Sequence, residues 1–226
     1  MARHFVTALI ALVFGFAGAA LFSFSGLGNS QTREFLVANP DILPAMANAY
    51  QEQQSRDSLA SISSEVTKPF PGAVLGNPEG SRTLVKFTDY ACGYCRISTE
   101  DIDRLVSDDP ELRVVIRELP LFQGSDVPAR MALAAAKQGK FDAFYHAMFA
   151  MESTAPENVM AAAREAGLDL AAAQEYGASE EVTAELARNQ ALAQQLGFSG
   201  TPSWVTGDKA FEGAVGYDQL AKAIGG

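Results

Sequence analysis

Thr83-Leu-Val-Lys-Phe-Thr-Asp-Tyr-Ala-Cys-Gly-Tyr-Cys95 decides the fold. Its first six residues alternate and are rich in β-formers, so they read as a strand running straight into Cys92. Residues 96 to 107 follow with helical spacing, which places Ile97, Ile102, Leu105 and Val106 on one face. Leu112-Arg-Val-Val-Ile-Arg-Glu-Leu119 is a second buried strand, closed by Pro120. A strand, helix and strand of these lengths make a right-handed crossover and a parallel pair.

Toward the C-terminus, Val127 to Gln195 is Ala-rich and helical, with breaks at Gly139, near Pro156, at Gly167 and at Gly177. These breaks predict four helices, and Gly197 ends the last as the residue just past its C-cap. Thr201-Pro202, a strand over Ser203 to Thr206, a turn at Gly207-Asp208, a strand near Ala210 to Ala214 and a closing helix from Tyr217 to Ile224 complete the order. The elements define an α/β fold whose sheet is interrupted by an inserted all-helical domain at about residues 127–196.

Toward the N-terminus, Lys68-Pro-Phe-Pro-Gly72 and Asn77-Pro-Glu-Gly80 are breakers that open the main domain, residues 69–226. Glu34 to Val66 is helical and modestly amphipathic, with Phe35, Leu36, Ile42, Leu43, Met46 and Tyr50 at 3- and 4-residue intervals. Asn39-Pro40-Asp41 reads as a helix start inside it, Asn capping and Pro in the first turn. This helical arm, residues 31–68, carries too little apolar surface to fold alone. It packs on the main domain, meets copies of itself, or is a solvated spacer. Before it, Arg3 and His4 precede an uncharged, mostly apolar run from Phe5 to Leu27. Residues 1–30 therefore read as an export signal, cut after Ala17-Gly18-Ala19, or as an uncleaved membrane anchor; a buried N-terminal helix is the third reading. Both export readings place everything after Arg33 outside the cytoplasm.

The chain has 226 residues, 48% of them hydrophobic and only 19% charged, enough to bury a sizeable core. Its 27 acidic and 17 basic side chains leave a net charge of −10. A nucleic-acid binder would be basic, so no nucleic-acid partner is expected. The only two cysteines are Cys92 and Cys95, which excludes a disulfide scaffold.

A Cys-x-x-Cys pair also suits half of a zinc site, but no second cysteine pair exists. His4 belongs to the export segment, and His146 sits in an apolar helix as a packed or surface residue, so no metal site is expected. At the first helical position, Cys92 faces unpaired N–H groups and the positive end of the helix dipole, which favour a thiolate. Cys95, one turn further in, is placed to close the ring as a buried resolving thiol. The alternative is a passive structural disulfide, although so short a loop would constrain the unfolded chain little.

Phe87-Thr-Asp-Tyr-Ala-Cys-Gly-Tyr-Cys95, Arg117-Glu-Leu-Pro120 and Gly200-Thr-Pro-Ser-Trp204, taken in that order, resemble the DsbA-type thiol:disulfide oxidoreductases of the thioredoxin superfamily. The likeness spans roughly Thr83 to Gly226. It implies a thioredoxin-like fold, a central mixed β-sheet flanked by helices. It also implies Cys92 and Cys95 as the catalytic pair, Pro202 as a cis-proline facing them, and Thr201 presenting its backbone to a bound peptide. No cofactor is implied. Relatives place an acid six positions before the first cysteine, whereas this chain has Lys86. Glu118 on the neighbouring strand, or Asp89, would then share in proton handling: either Lys86 and Glu118 pair across the sheet, or Lys86 points outward.

The Gly-Tyr dipeptide and the Thr before the proline resemble the isomerase and copper-sensitivity branches, which carry N-terminal oligomerising arms. The resemblance therefore implies secreted proteins with thiols or disulfides as partners, a membrane redox partner that resets the cysteines, and a homo-oligomer built through residues 31–68. Oxidase and isomerase roles remain balanced. The alternative from another class is a Cu(I)-binding or chaperone protein using the two thiolates as soft ligands. It would need nearby Met or His, and Met131, Met148 and Met151 read better as core. Glu180 and Glu181 read as a solvated helix face and Trp204 as packing behind the active-site loop.

Overall fold

The computed structural model describes residues 11–16 and 27–225. Most of the expected export segment, 1–30, lies outside the described residues. Among those described, no helix is long and apolar enough to cross a membrane. The chain divides into two compact units, one ending at Glu52 and one running from Gln53 onward.

In the first unit, α1 (Leu27–Ala38) leads through a 3-10 turn at Pro40–Ile42 into α2, Leu43–Val66, whose length carries it past Glu52. Pro40 opens the turn as expected, but Asn39 does not cap forward: its Nδ2 donates back to the Phe35 carbonyl at 2.7 Å.

The second unit is built on a five-stranded sheet in the order β1-β3-β2-β4-β5. The strands are β1 (Val74–Gly76), β2 (Arg82–Thr88), β3 (Leu112–Glu118), β4 (Ser203–Thr206) and β5 (Lys209–Glu212). β2 and β3 run parallel, joined by α3 (Gly93–Asp108), and the other three pairings are antiparallel. The mixed sheet with flanking helices is the thioredoxin-like architecture that was expected.

Sequence reading overlooks β1, three residues held between two breakers. It exists through its pairing with β3, and Gly76 admits the close approach: at φ +75, a Cβ there would stand 2.6 Å from the Leu112 carbonyl oxygen. The insertion holds five helices rather than four: α4 (Asp126–Lys137), α5 (Phe141–Ala150), α6 (Pro156–Glu165), α7 (Leu170–Gly177) and α8 (Glu180–Gln195). Four interruptions delimit five segments. Gly197 takes φ +74, and Phe198 N–H returns to the Ala193 carbonyl at 2.9 Å, the hydrogen bond of a glycine-terminated helix. α9, Tyr217–Gly225, closes the chain.

β2 and β3 are buried on both faces. Leu84, Val114 and Ile116 pack with Ile102 and Leu105 of α3, with α5 and with Leu220 of α9. Val85, Phe87 and Val115 face the other way, against Leu192, Ala193 and Leu196. Leu59, Ile62 and Val66 of α2 join that second layer, so the last two turns of the arm helix belong to the core of the sheet.

Candidate functional site

The parallel pair delivers Cys92 at the C-terminal end of β2, where the chain turns into α3. Cys92 occupies the N-cap, with extended φ −84 and ψ 117, rather than the first helical position expected of it: the helix begins one residue later, at Gly93. An N-cap side chain points back over the free N–H groups of the first turn. Both cysteines carry free thiols; Cys92 is 6% exposed and Cys95 not at all.

The third motif closes the site from above. The Thr201–Pro202 peptide is cis, and Cys92 Sγ lies 3.2 Å from the Thr201 carbonyl oxygen, to which it donates in its thiol form. The Thr201 hydroxyl is buried without a hydrogen-bond partner. The hydrogen bond from Cys95 comes first among the causes that lower the Cys92 pKa to about 5. Burial opposes it, while the N–H groups of Cys95 and Tyr94 assist. Burial, and then the proton shared with Cys92, push the Cys95 thiol far above its ordinary value. One thiol is poised as an anion at neutral pH and the other as a protonated acid.

Lys86 does neither of the two things expected of it. It points inward beneath the cysteines, wholly buried, and its Nζ donates to the Cys95 carbonyl at 3.1 Å and to the Tyr145 hydroxyl at 2.8 Å. The ammonium also sits over the rings of Phe149, Tyr145 and Trp204, at 5.3, 5.5 and 5.6 Å from their centroids, where cation–π attraction replaces part of its hydration. Burial lowers its pKa to about 8. The reason it does not pair with Glu118 is register: Lys86 lies beside Ile116, and Glu118 beside Thr88. Glu118 instead accepts from the Tyr90 hydroxyl at 3.1 Å, and its second oxygen is buried without a partner. Burial holds its carboxyl well above the usual range.

Asp89 has a positioning task. One oxygen accepts from Ala91 N–H at 2.8 Å and the other from Leu121 N–H, Phe122 N–H and Ser125 Oγ at 2.6 to 3.1 Å. It ties the loop after β3 to the approach of Cys92. Around that tie stand exposed apolar side chains: Tyr94, Ile97, Leu121, Phe122 and Val127. Ile97 was expected in the core with Ile102, but the buried face of α3 is formed by Cys95, Ser98, Thr99, Ile102 and Leu105, and Ile97, five residues from Ile102, lies off that face in solvent.

The other candidates are structural. His146 bonds Asp103 of α3 at 2.8 Å and Asp142 at 3.0 Å. Met131 and Met148 are buried in the helical core, and Met151 packs against it. Among the described residues no group of three or more His, Cys, Asp or Glu side chains is arranged to hold a metal ion. Glu180 and Glu181 are exposed, and Trp204 is fully buried, its indole N–H on the Gly213 carbonyl at 2.8 Å.

Sequence reading missed Tyr90, Tyr145 and the use made of Arg117. The Arg117 guanidinium is buried and donates to the carbonyls of Glu65, Val66 and Lys68, to Asn189 Oδ1 at 2.7 Å and to Glu185 Oε1 at 3.3 Å. An arginine beside Ile116 in a strand buried along most of its length was the available signal, and its partners were not.

A Cys-x-x-Cys pair at a helix start, roofed by a cis-proline on a mixed sheet, is an arrangement suited to dithiol–disulfide exchange. Residues 83–225 match the DSBA-like thioredoxin domain family, and the chain belongs to that family of thiol:disulfide oxidoreductases. A thioredoxin-like oxidoreductase from Silicibacter pomeroyi DSS-3 is 47% identical, with TM-score 0.65 over 67% of this chain and 89% of that one. The catalytic domain of Proteus mirabilis ScsC is 25% identical, with TM-score 0.67 over 75% and 96% of the two chains. A Na(+)/H(+) antiporter, NhaA 3 of Salinispora tropica, is 27% identical over 155 residues, 67% of this chain and 24% of that one. The chain thus spans about a quarter of the length of the curated relatives it matches.

Proposed function

We propose that the chain is an exported dithiol oxidoreductase that forms or reshuffles disulfides in secreted proteins, with Cys92 as the attacking thiolate and Cys95 as the resolving thiol. The observation that carries the reading is Cys92 Sγ, 3.2 Å from the carbonyl before the cis-proline, with Cys95 fully buried behind it. In the oxidising direction a substrate thiolate attacks Cys92 of the Cys92–Cys95 disulfide. A mixed disulfide forms and Cys95 leaves as a thiolate. The second substrate thiolate then attacks the substrate sulfur of that mixed disulfide, closing the substrate's bond and releasing Cys92 as a thiolate. Lys86, positively charged below about pH 8 and bonded to the Cys95 carbonyl, supplies the proton that Cys95 takes up, and Glu118 is the neighbouring acid that restores it. Thr201 and Pro202 align the substrate backbone, and the exposed Tyr94, Ile97, Leu121, Phe122 and Val127 receive apolar stretches of unfolded polypeptide.

Export directed by residues 1–30 and resetting by a membrane redox partner complete the reading. The arm, with Phe35, Val37, Leu43 and Met46 exposed, links copies of the chain. The test pairs insulin reduction with recovery of scrambled RNase, and adds Cys95→Ser to trap the mixed disulfide. No trapped species on Cys92 and no exchange in either assay would refute the chemistry. RNase recovery that disappears on deleting residues 34–52, with insulin reduction intact, would select the oligomeric isomerase over the oxidase.

A further inference from the structure

Glu212 lies on the exposed edge strand β5, directly across from Ser203. Its Oε1 accepts from the backbone N–H groups of both Ser199 and Gly200, the latter at 3.0 Å, and Ser199 Oγ donates to Oε2 at 3.3 Å. Ser203 Oγ, 3.5 Å from Oε1, donates in turn to the Gly200 carbonyl at 2.7 Å. On the far side of the cis bond, Gly213 N–H donates to the Pro202 carbonyl at 2.8 Å. Thr201 is thus held between two anchors that both belong to the β5 end, and it is Thr201 whose carbonyl meets Cys92 Sγ.

Two consecutive N–H groups converging on one carboxylate oxygen form a charge-assisted clamp, stronger and more directional than neutral hydrogen bonds. Ser199 and Gly200 have no side chain that could fix this loop by packing. We propose that Glu212 is a positioning residue for dithiol exchange, holding the 199–202 loop so that Thr201 meets both Cys92 and a bound polypeptide in one register. The proposal rests on the assignment of Cys92 as the exchanging thiol. It adds a carboxylate that touches neither sulfur nor substrate.

The experiment compares the full chain with Glu212→Ala and Glu212→Gln. The readouts are the ultraviolet titration of the Cys92 thiolate, kcat and KM on a peptide disulfide, and the melting temperature. Loosening the loop displaces Thr201, whose carbonyl lies 3.2 Å from Cys92 Sγ, so the Cys92 midpoint shifts in the alanine variant. Its KM increases about tenfold with a smaller change in kcat, as expected for misplaced substrate contacts. Gln keeps an oxygen acceptor without the charge and falls between the two. A Cys92 titration and a KM unchanged in Glu212→Ala would overturn the proposal. So would losses that follow melting temperature alone while the Cys92 midpoint stays fixed. The titration needs no turnover, so an inactive wild-type chain would sink the exchange reading and still decide the role of Glu212.

Discussion

Cys92 and Cys95 are the same side chain three positions apart, and their surroundings drive them in opposite directions. Cys92 binds its proton less tightly in the fold, at about 5 against an ordinary 9. It therefore stabilises the reduced fold fully above pH 9 and loses that contribution as pH falls through 5. A disulfide has no such titration. Reduced protein should accordingly melt above oxidised protein at neutral pH, and the gap should close toward pH 5; an oxidised form that stays more stable at pH 7 would contradict it. By the same balance the couple should be oxidising, because an anion favours the reduced state, which a measured reduction potential checks. Lys86 has the reverse sign. The unfolded lysine keeps its proton up to about 10.5 and the folded one only to about 8. The burial penalty is complete below pH 8, and stability rises with pH between those values. Lys86→Met should abolish that rise in urea unfolding series and leave Cys95 harder still to ionise, since the ammonium lowers the thiol's pKa. An unaltered slope would show that another group produces it.

Between elements, Arg117 is the fastening that matters most. Free carbonyls at the C-terminal end of α2 carry the negative end of its dipole, and Arg117 collects those of Glu65 and Val66 while bonding Glu185 and Asn189 of α8. Removing one side of a buried charged network leaves the rest unpaired, so Arg117→Met should destabilise by about 3–5 kcal/mol. Chemical denaturation measures it, and a loss under 1 kcal/mol would mean that the carbonyls find water instead. The partners of Arg117 lie 52 positions before it and 68 after it, which is why strand reading stopped at its burial. β2, α3 and β3 were legible because period-two and helical spacing are local signals. β1 was not, since three residues become a strand only through β3. Lys86 shares a face with Leu84 by alternation. Whether that face met solvent depended on α5, which supplies Tyr145 and Phe149 from about 60 positions away. The cysteine pair was readable because its chemistry requires two thiols at that spacing beside a helix start, and cis-Pro202 because Gly200–Trp204 resembles a family motif. Glu212, which organises the Pro202 loop from β5, left no comparable mark.

At the scale of the whole chain, the boundary between arm and catalytic unit falls within a continuous helix. Breakers at Lys68–Gly72 suggested an arm ending at residue 68, yet the compact unit begins at Gln53. Leu59, Ile62 and Val66 are buried in the layer that covers the back of the sheet. Two truncations separate the two divisions. A chain starting at Gln53 keeps those three side chains and the carbonyls that Arg117 binds, so it should retain the full-length unfolding free energy within about 0.5 kcal/mol and the same Cys92 titration. A chain starting at Pro69 loses both. Burying an aliphatic side chain is worth about 1.5–3 kcal/mol, so the three together cost on the order of 5 kcal/mol before the stranded Arg117 is counted. Since that is comparable with the whole stability of a small domain, the shorter chain should be partly unfolded or aggregated at room temperature. If it instead unfolds cooperatively at the full-length midpoint, the end of α2 is dispensable and the arm does stop at residue 68.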